Sequence, residues 1–360
     1  MDLISEQWKD VGRVIWVPDV RDFPSPRYTK QQVNEAGKAL GSIIPDDTPD
    51  AHEIFRIAYN WRDAHMYPMY KIKGELQRKI RKTNAAGLAA ARPKAMRSIR
   101  RKLSKTPLKL GAIRDLAGCR AILPSMKEVK ELVAVYLDGA SSHGFRAPLD
   151  YIGQPQRGGY RSYHLPMEFL AATDEEAPYD RFQVELQIRT RVQHAWATAV
   201  EAVGLYRGEH LKGGEGSADW LRLFRLMSIQ LAEEEQTFIP DDAADRSLRR
   251  KEIMDLNDRL GATEMLRNIG SAFRLADSLP RTAAYVLIKY DRQNEAVSVK
   301  SYSGAVQGAE ANDVDAGETV LVQVDKIENL KDAYPNYFGD VRLFRDRLVE
   351  CVRGYKPPGL

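Results

Sequence analysis

The chain has 360 residues, 43% hydrophobic and 29% charged, with a formal net charge of +4 and two cysteines, Cys119 and Cys351. That length exceeds one average domain, the composition supports a buried core, and two thiols exclude a disulfide scaffold and a cysteine-rich zinc site. No apolar run approaches the roughly 18–20 residues that span a bilayer, and the opening MDLISEQWKD lacks the layout of a secretory signal, so a cytoplasmic protein without a membrane partner is expected.

In chain order, Ile54, Ile57, Ala58, Trp61 and Ala64 or His65 recur at helical spacing within a helical stretch from Ala51 to about Thr83, which Pro68 is expected to kink or interrupt. A second, basic helix is predicted from near Pro93 to about Leu103. Leu116–Leu123 reads as a buried strand ended by Pro124-Ser125, and Val129, Leu132, Val133 and Tyr136 mark one face of a helix from Met126 to about Gly139. An alternating strand from Tyr160 to about Phe169, a further strand Phe182–Ile188 and a helix from Arg191 to Val203 follow. This order predicts a mixed α+β core and not a regular βαβ repeat. Beyond the glycine-rich stretch Gly213–Ser217, helices are predicted over Trp220–Glu235 and Leu248–Ser278. Strands are expected at Ala283–Tyr290, Ala296–Tyr302 and Thr319–Val324, the first two as a hairpin. Three units result: 1–215, a helical linker 216–280, and a small β-rich unit 281–360.

Charge is unevenly distributed. Between Lys71 and Arg114 the chain is densely basic and Glu75 is the only acid, which points to a polyphosphate or nucleic-acid partner. The chain carries no phosphate-binding G-x-x-x-x-G-K-[ST] loop, no G-x-G-x-x-G after a strand, no kinase signature set and no nucleophile-elbow serine. Phosphate chemistry would then fall to side-chain cations and to acids on strands. Asp115 opens one predicted strand and Glu185 lies within another, and two such carboxylates suit a hard Mg²⁺ ion against phosphate oxygens. The loop Arg157–His164 offers two glycines for close approach and Tyr160 as a ring for a base to stack on.

Taken together, Arg92-Pro93-Lys94, Ser98, Arg101-Lys102 and Arg114–Arg120 resemble the RelA/SpoT synthetase domain, as do Asp150–Ile152, Gly159–His164, and Val184–Thr190 with His194. The similarity spans about Ile54 to Tyr206. It implies a nucleotidyltransferase-like mixed sheet flanked by helices, and transfer of the β,γ-diphosphate of ATP to a ribose 3′-hydroxyl with release of AMP. By matching positions, Asp115 would bind Mg²⁺, and Glu185 would sit by the metal and help activate the hydroxyl. Arg92 and Arg120 would hold the adenine side of ATP, and Lys94, Ser98, Arg101 and Lys102 its phosphates. Tyr160 would stack the acceptor base, with His164, Gln187 and Arg189 beside it. Glu201 stands one position away from a glutamate common in the family, and no role follows for it.

Family members use either GDP or GTP, or, in a toxic branch, the 3′-terminal adenosine of tRNA. Asn60–Pro68 resembles the N-terminal helix of the toxic synthetases, and no hydrolase domain is read ahead of the synthetase, so the acceptor end of tRNA is expected. Ala333–Asp340, with Tyr334 and Tyr337, resembles the C-terminal antitoxin module of CapRel-type fused toxin–antitoxins, a zinc-finger-like fold without zinc. That resemblance implies that the two tyrosines occlude the ATP site until a phage protein, such as a capsid protein, binds the module. Alarmone synthesis from GDP or GTP is the alternative.

Overall fold

The computed structural model describes residues 19–42, 49–83, 86–277, 285–291, 296–302, 319–323 and 341–354. Three helices lead in: α1 (Lys30–Gly41), α2 (Pro49–Ala64) and α3 (Met66–Thr83). Thr29 and Gln32 cap α1 reciprocally, which satisfies two backbone donors at its start. The break between α2 and α3 falls at His65, so the interruption expected from Pro68 comes one turn ahead of it, where proline in the first turn of α3 is tolerated.

The core strands follow: β1 (Leu88–Pro93), β2 (Ala117–Leu123), β3 (Gly144–Phe145), β4 (Leu149–Asp150), β5 (Tyr163–Glu168) and β6 (Gln183–Thr190). Helix α4 (Met96–Lys105) connects β1 to β2, and α5 (Met126–Leu137) follows β2. The sheet runs β1-β2-β6-β5-β3, with β4 also on β5; the β2–β6 pair is parallel and the others are antiparallel. This is the mixed sheet flanked by helices that the sequence led us to expect.

Two local expectations are corrected. Pro93 does not open a helix: it ends β1, an edge strand where its missing N–H costs no ladder bond, and the helix starts at Met96. The strand expected from Tyr160 begins only at Tyr163, because residues 160–162 belong to the loop above the sheet.

Strand alternation gives the sheet two faces. Ala117, Cys119, Ala121, Leu165, Met167, Val184, Leu186 and Ile188 point one way, into a core closed by Ile72, Leu76 and Ile80 of α3 and Val129, Leu132 and Tyr136 of α5. Burying the leucines, isoleucines, valines and methionine among them contributes roughly 1.5–3 kcal/mol each, which fixes the register. The intervening residues Arg120, Glu185, Gln187 and His164 must therefore share the opposite face.

That face is roofed by helices. α6 (Arg191–Arg207), α7 (Ala218–Glu234), α8 (Arg246–Leu260), α9 (Ala262–Asp277) and α10 (Arg342–Arg353) share one apolar cluster that includes Trp196, Trp220, Phe224, Ile253, Leu266, Phe344 and Leu348. The helical stretch expected over Leu248–Ser278 is divided into α8 and α9 at Gly261, whose φ of +59° ends α8 in the left-handed conformation glycine adopts without strain. A separate antiparallel sheet, β8-β7-β9, is formed by β7 (Tyr285–Asp291), β8 (Ala296–Tyr302) and β9 (Thr319–Gln323). α10 had no counterpart among the predicted elements; it packs with α6, α8 and α9. Tyr334 and Tyr337 lie outside the described residues, as does the rest of the Ala333–Asp340 element. No helix among the described residues is long and apolar enough to cross a membrane.

Candidate active site

Register places the polar residues in rows. Arg92 of β1 lies opposite Gly118 of β2, which lies opposite Glu185 of β6. The next row joins Arg120, Gln187 and His164. Between this face and the helical roof lies a cavity of about 540 Å³, lined by Arg92, Lys94, Asp115, Arg120, Tyr160, His164, Glu185 and Gln187 among others. Gly118 lets the floor of this cavity stay open: an added Cβ would meet only ordinary contacts, so its absence serves space and not backbone strain.

Asp115 sits on the turn before β2 and is clasped by two ammonium groups, Lys94 Nζ at 2.6 Å and Lys102 Nζ at 2.9 Å. Partial burial pushes its carboxyl up, but the two lysines outweigh this and hold it at about 2. Lys94 leaves the end of β1 and Lys102 comes from α4, so the strand that sequence reasoning missed is what brings the first cation to the acid.

Glu185 is the centre of a second network. Gln187 Nε2 donates to its Oε2 at 2.6 Å, and His164 Nδ1 lies 3.2 Å from its Oε1. His164 Nε2 in turn lies 2.9 Å from the Tyr160 hydroxyl. All partners are satisfied when Nδ1–H donates to the carboxylate and the phenol donates to Nε2. Burial raises the Glu185 carboxyl, His164 and Gln187 lower it further than that, and the charge of Asp115 opposes them; the net direction is down. His164 moves up: burial pulls it down, but Glu185 and Tyr160 overcome this.

A third group is cationic. Arg120 donates to Gln187 Oε1 at 3.2 Å, and burial together with Arg189 and Arg92 pulls its guanidinium well below the usual arginine range. Arg189 is 2% exposed and does not line the cavity; its Nη2 lies 2.5 Å from His194 Nδ1. The counter-charge is Glu201 of α6. Burial raises its carboxyl, while Lys212 at 2.6 Å, Arg92 and Arg120 bring it down to about 2. Sequence reasoning gave Glu201 no role; its partners come from β1, β2 and the loop after α6, and no local motif signals them. Lys212, also on the cavity wall, was missed for the same reason.

Of the remaining expected residues, Ser98 is exposed on α4 and Arg101 is partly exposed on the same helix, and neither lines the cavity. The basic run is also less free than its composition suggests. Lys71 pairs with Glu176 at 2.9 Å and Lys79 with Glu75 at 3.6 Å, while Arg78, Arg81 and Lys82 are exposed.

Mg²⁺ would fit these donors. Asp115 and Glu185 present hard carboxylate oxygens to one cavity and are close enough for one charge to raise the other's carboxyl. Magnesium sites commonly use one or two protein carboxylates, with waters and phosphates completing the shell.

Residues 91–210 match the family model described as a region found in RelA / SpoT proteins. Among solved structures, the chain is similar to small alarmone synthetase 2 from Bacillus subtilis, with 21% identity over 49% of this chain and 92% of that one and a TM-score of 0.41. Small alarmone synthetase 1 from the same organism, bound to its product pppGpp, is 21% identical over 51% of this chain and 94% of that one, with a TM-score of 0.41. A GTP pyrophosphokinase family protein from Streptococcus pneumoniae is 24% identical over 49% and 90%, with a TM-score of 0.40. No curated protein matches the sequence.

Proposed function

We propose that the chain transfers the β,γ-diphosphate of ATP to a ribose 3′-hydroxyl. The observation that carries this reading is the gathering on one cavity of two carboxylates, Asp115 and Glu185, with Arg92, Arg120 and Lys94, while Lys102 joins Lys94 in clasping Asp115. Glu185, kept anionic by His164 and Gln187, accepts the proton of the attacking hydroxyl. The new bond joins O3′ to the β-phosphorus, the bond from that phosphorus to the α,β-bridging oxygen breaks, and AMP leaves. The phosphate oxygens gain negative character near the lysines that Asp115 now holds, and the arginines offer planar paired donors to the nucleotide. Mg²⁺, when bound by Asp115 and Glu185, would offset the charge of the polyphosphate. Tyr160 offers its ring to the acceptor base, with its hydroxyl fixed by His164.

For the acceptor we hold two readings. The tRNA 3′ end draws support from the exposed Arg78, Arg81 and Lys82, which suit phosphate contacts. A guanine nucleotide, as in alarmone synthesis, draws support from the pairing of Lys71 and Lys79, which removes two cations from any acceptor-stem surface. Labelled ATP offered with bulk tRNA and GDP separates them by which species takes up label, and label on neither would sink the reaction. Control through Tyr334 and Tyr337, release by a phage protein, and a role in anti-phage defence rest on the resemblance of the tail alone; because such control would silence the resting chain, every transfer assay is run on both wild type and Tyr334→Ala, and only failure of both counts against the reaction.

A further inference from the structure

The loop that carries Tyr160 is fastened to a helix beyond the RelA/SpoT region. Ser228, in the middle of α7, is 3% exposed, and its hydroxyl donates to the Gly159 carbonyl at 2.5 Å. The same oxygen accepts from Arg161 Nε at 3.2 Å, and Arg161, 4% exposed, also donates through Nη1 to the Ile152 carbonyl. Both residues flanking Tyr160 are thereby tied to one hydroxyl. The approach is close: Gly159 has φ of +96°, and a Cβ there would lie 2.8 Å from Ser228 Cβ. Serine is a poor helix former in an interior turn, so its hydroxyl is placed here at some cost to α7.

α7 is itself held from both sides. The Trp196 indole of α6 donates to the Phe224 carbonyl at 2.8 Å, and the Phe224 ring lies 5.5 Å from Phe344 of α10. A contiguous packed path thus runs from α10 through Phe224 and Ser228 to Gly159 and the Tyr160 ring, whose edge faces His164 in the site.

We propose that Ser228 is a positioning residue for the acceptor pocket: by fixing the Gly159 carbonyl it sets the Tyr160 ring, and it makes the position of α10 a determinant of acceptor binding. This inference rests on the proposed function for its kinetic arm only. Packed interiors resist continuous deformation, so a displacement of α10 or α7 is passed to the loop and not absorbed between them.

The test compares wild type, Ser228→Ala, Ser228→Thr and Phe344→Leu. Hydrogen exchange of the backbone amides of residues 157–161 is expected to quicken in Ser228→Ala and in Phe344→Leu and to return toward wild type in Ser228→Thr. With GDP and bulk tRNA as acceptors, Ser228→Ala is expected to raise the acceptor KM about fivefold to tenfold, the scale of one lost buried hydrogen bond, with the KM for ATP unchanged. Unchanged exchange in the loop overturns the inference, as does an equal loss on the donor and acceptor sides that follows a lower melting temperature. If neither wild type nor Tyr334→Ala transfers diphosphate to either acceptor, the proposed reaction fails, and the exchange experiment still decides the role of Ser228.

Discussion

Replacing Asp115 by asparagine keeps the shape of the side chain and removes the charge that Lys94 and Lys102 clasp. The carboxyl falls from 3.8 to about 2 in the folded chain, because the two lysines outweigh burial. At 1.36 kcal/mol per pKa unit, that shift is worth on the order of 2 kcal/mol of stability at neutral pH. The carboxylate side chain is 22% exposed, so solvent screening takes only part of it. The sign follows from a folded pKa below the unfolded one: the contribution is full above pH 3.8 and is lost as pH falls through about 2. Urea denaturation at pH 7 is therefore expected to show Asp115→Asn less stable by about 2 kcal/mol, through a lower midpoint at unchanged slope. Below pH 3.8 the two proteins are expected to converge. An asparagine variant equal to or more stable than wild type at pH 7 would refute the Lys94–Asp115–Lys102 clasp, and with it the view that these lysines wait at the acid for phosphate.

Three further outcomes can be measured on the same protein. Glu185→Gln is expected to lower kcat for transfer by about 10²–10⁴-fold at saturating ATP and Mg²⁺, measured by AMP release, since the lost group takes the proton of the attacking hydroxyl. Tyr160→Ala is expected to raise the acceptor KM about tenfold or more, and Tyr160→Phe much less, because the ring and not the hydroxyl stacks on the base. Glu201→Gln leaves Arg92, Arg120 and Lys212 without their counter-charge; thermal denaturation should show a lower melting temperature without nucleotide and a larger gain on adding ATP than wild type shows.

Much of the sheet could be read from alternation alone. β2 and β6 carry Ala117–Leu123 and Val184–Ile188 with every second residue apolar, and Gly118, Arg120, Glu185 and Gln187 between them line the cavity. β1 escaped notice because half of Leu88–Pro93 is alanine, with one arginine and a proline, a composition that favours no strand. It is a strand through its pairing with β2, and that pairing sets Arg92 opposite Gly118. The basic run is legible only in part: composition counts cations, while the fold decides that Lys79 meets Glu75 and Lys94 meets Asp115. Glu201, Lys212 and Ser228 bear on the site only through tertiary contacts, between elements whose packing no periodicity encodes. α10 does carry apolar residues at helical spacing, Phe344 and Leu348 with Cys351 and Val352, and lay hidden in a tail whose preceding strands pointed to β structure.

The most direct test of the central claim is the identity of the nucleotide released from ATP. Chromatography of a reaction holding the full chain (wild type and Tyr334→Ala), Mg²⁺, ATP labelled in the β-phosphate, GDP and bulk tRNA is expected to show AMP rising in step with label on one acceptor, and both products about a hundredfold or more slower with Glu185→Gln. Release of ADP, or ATP turnover undiminished in Glu185→Gln, would contradict diphosphate transfer at this site.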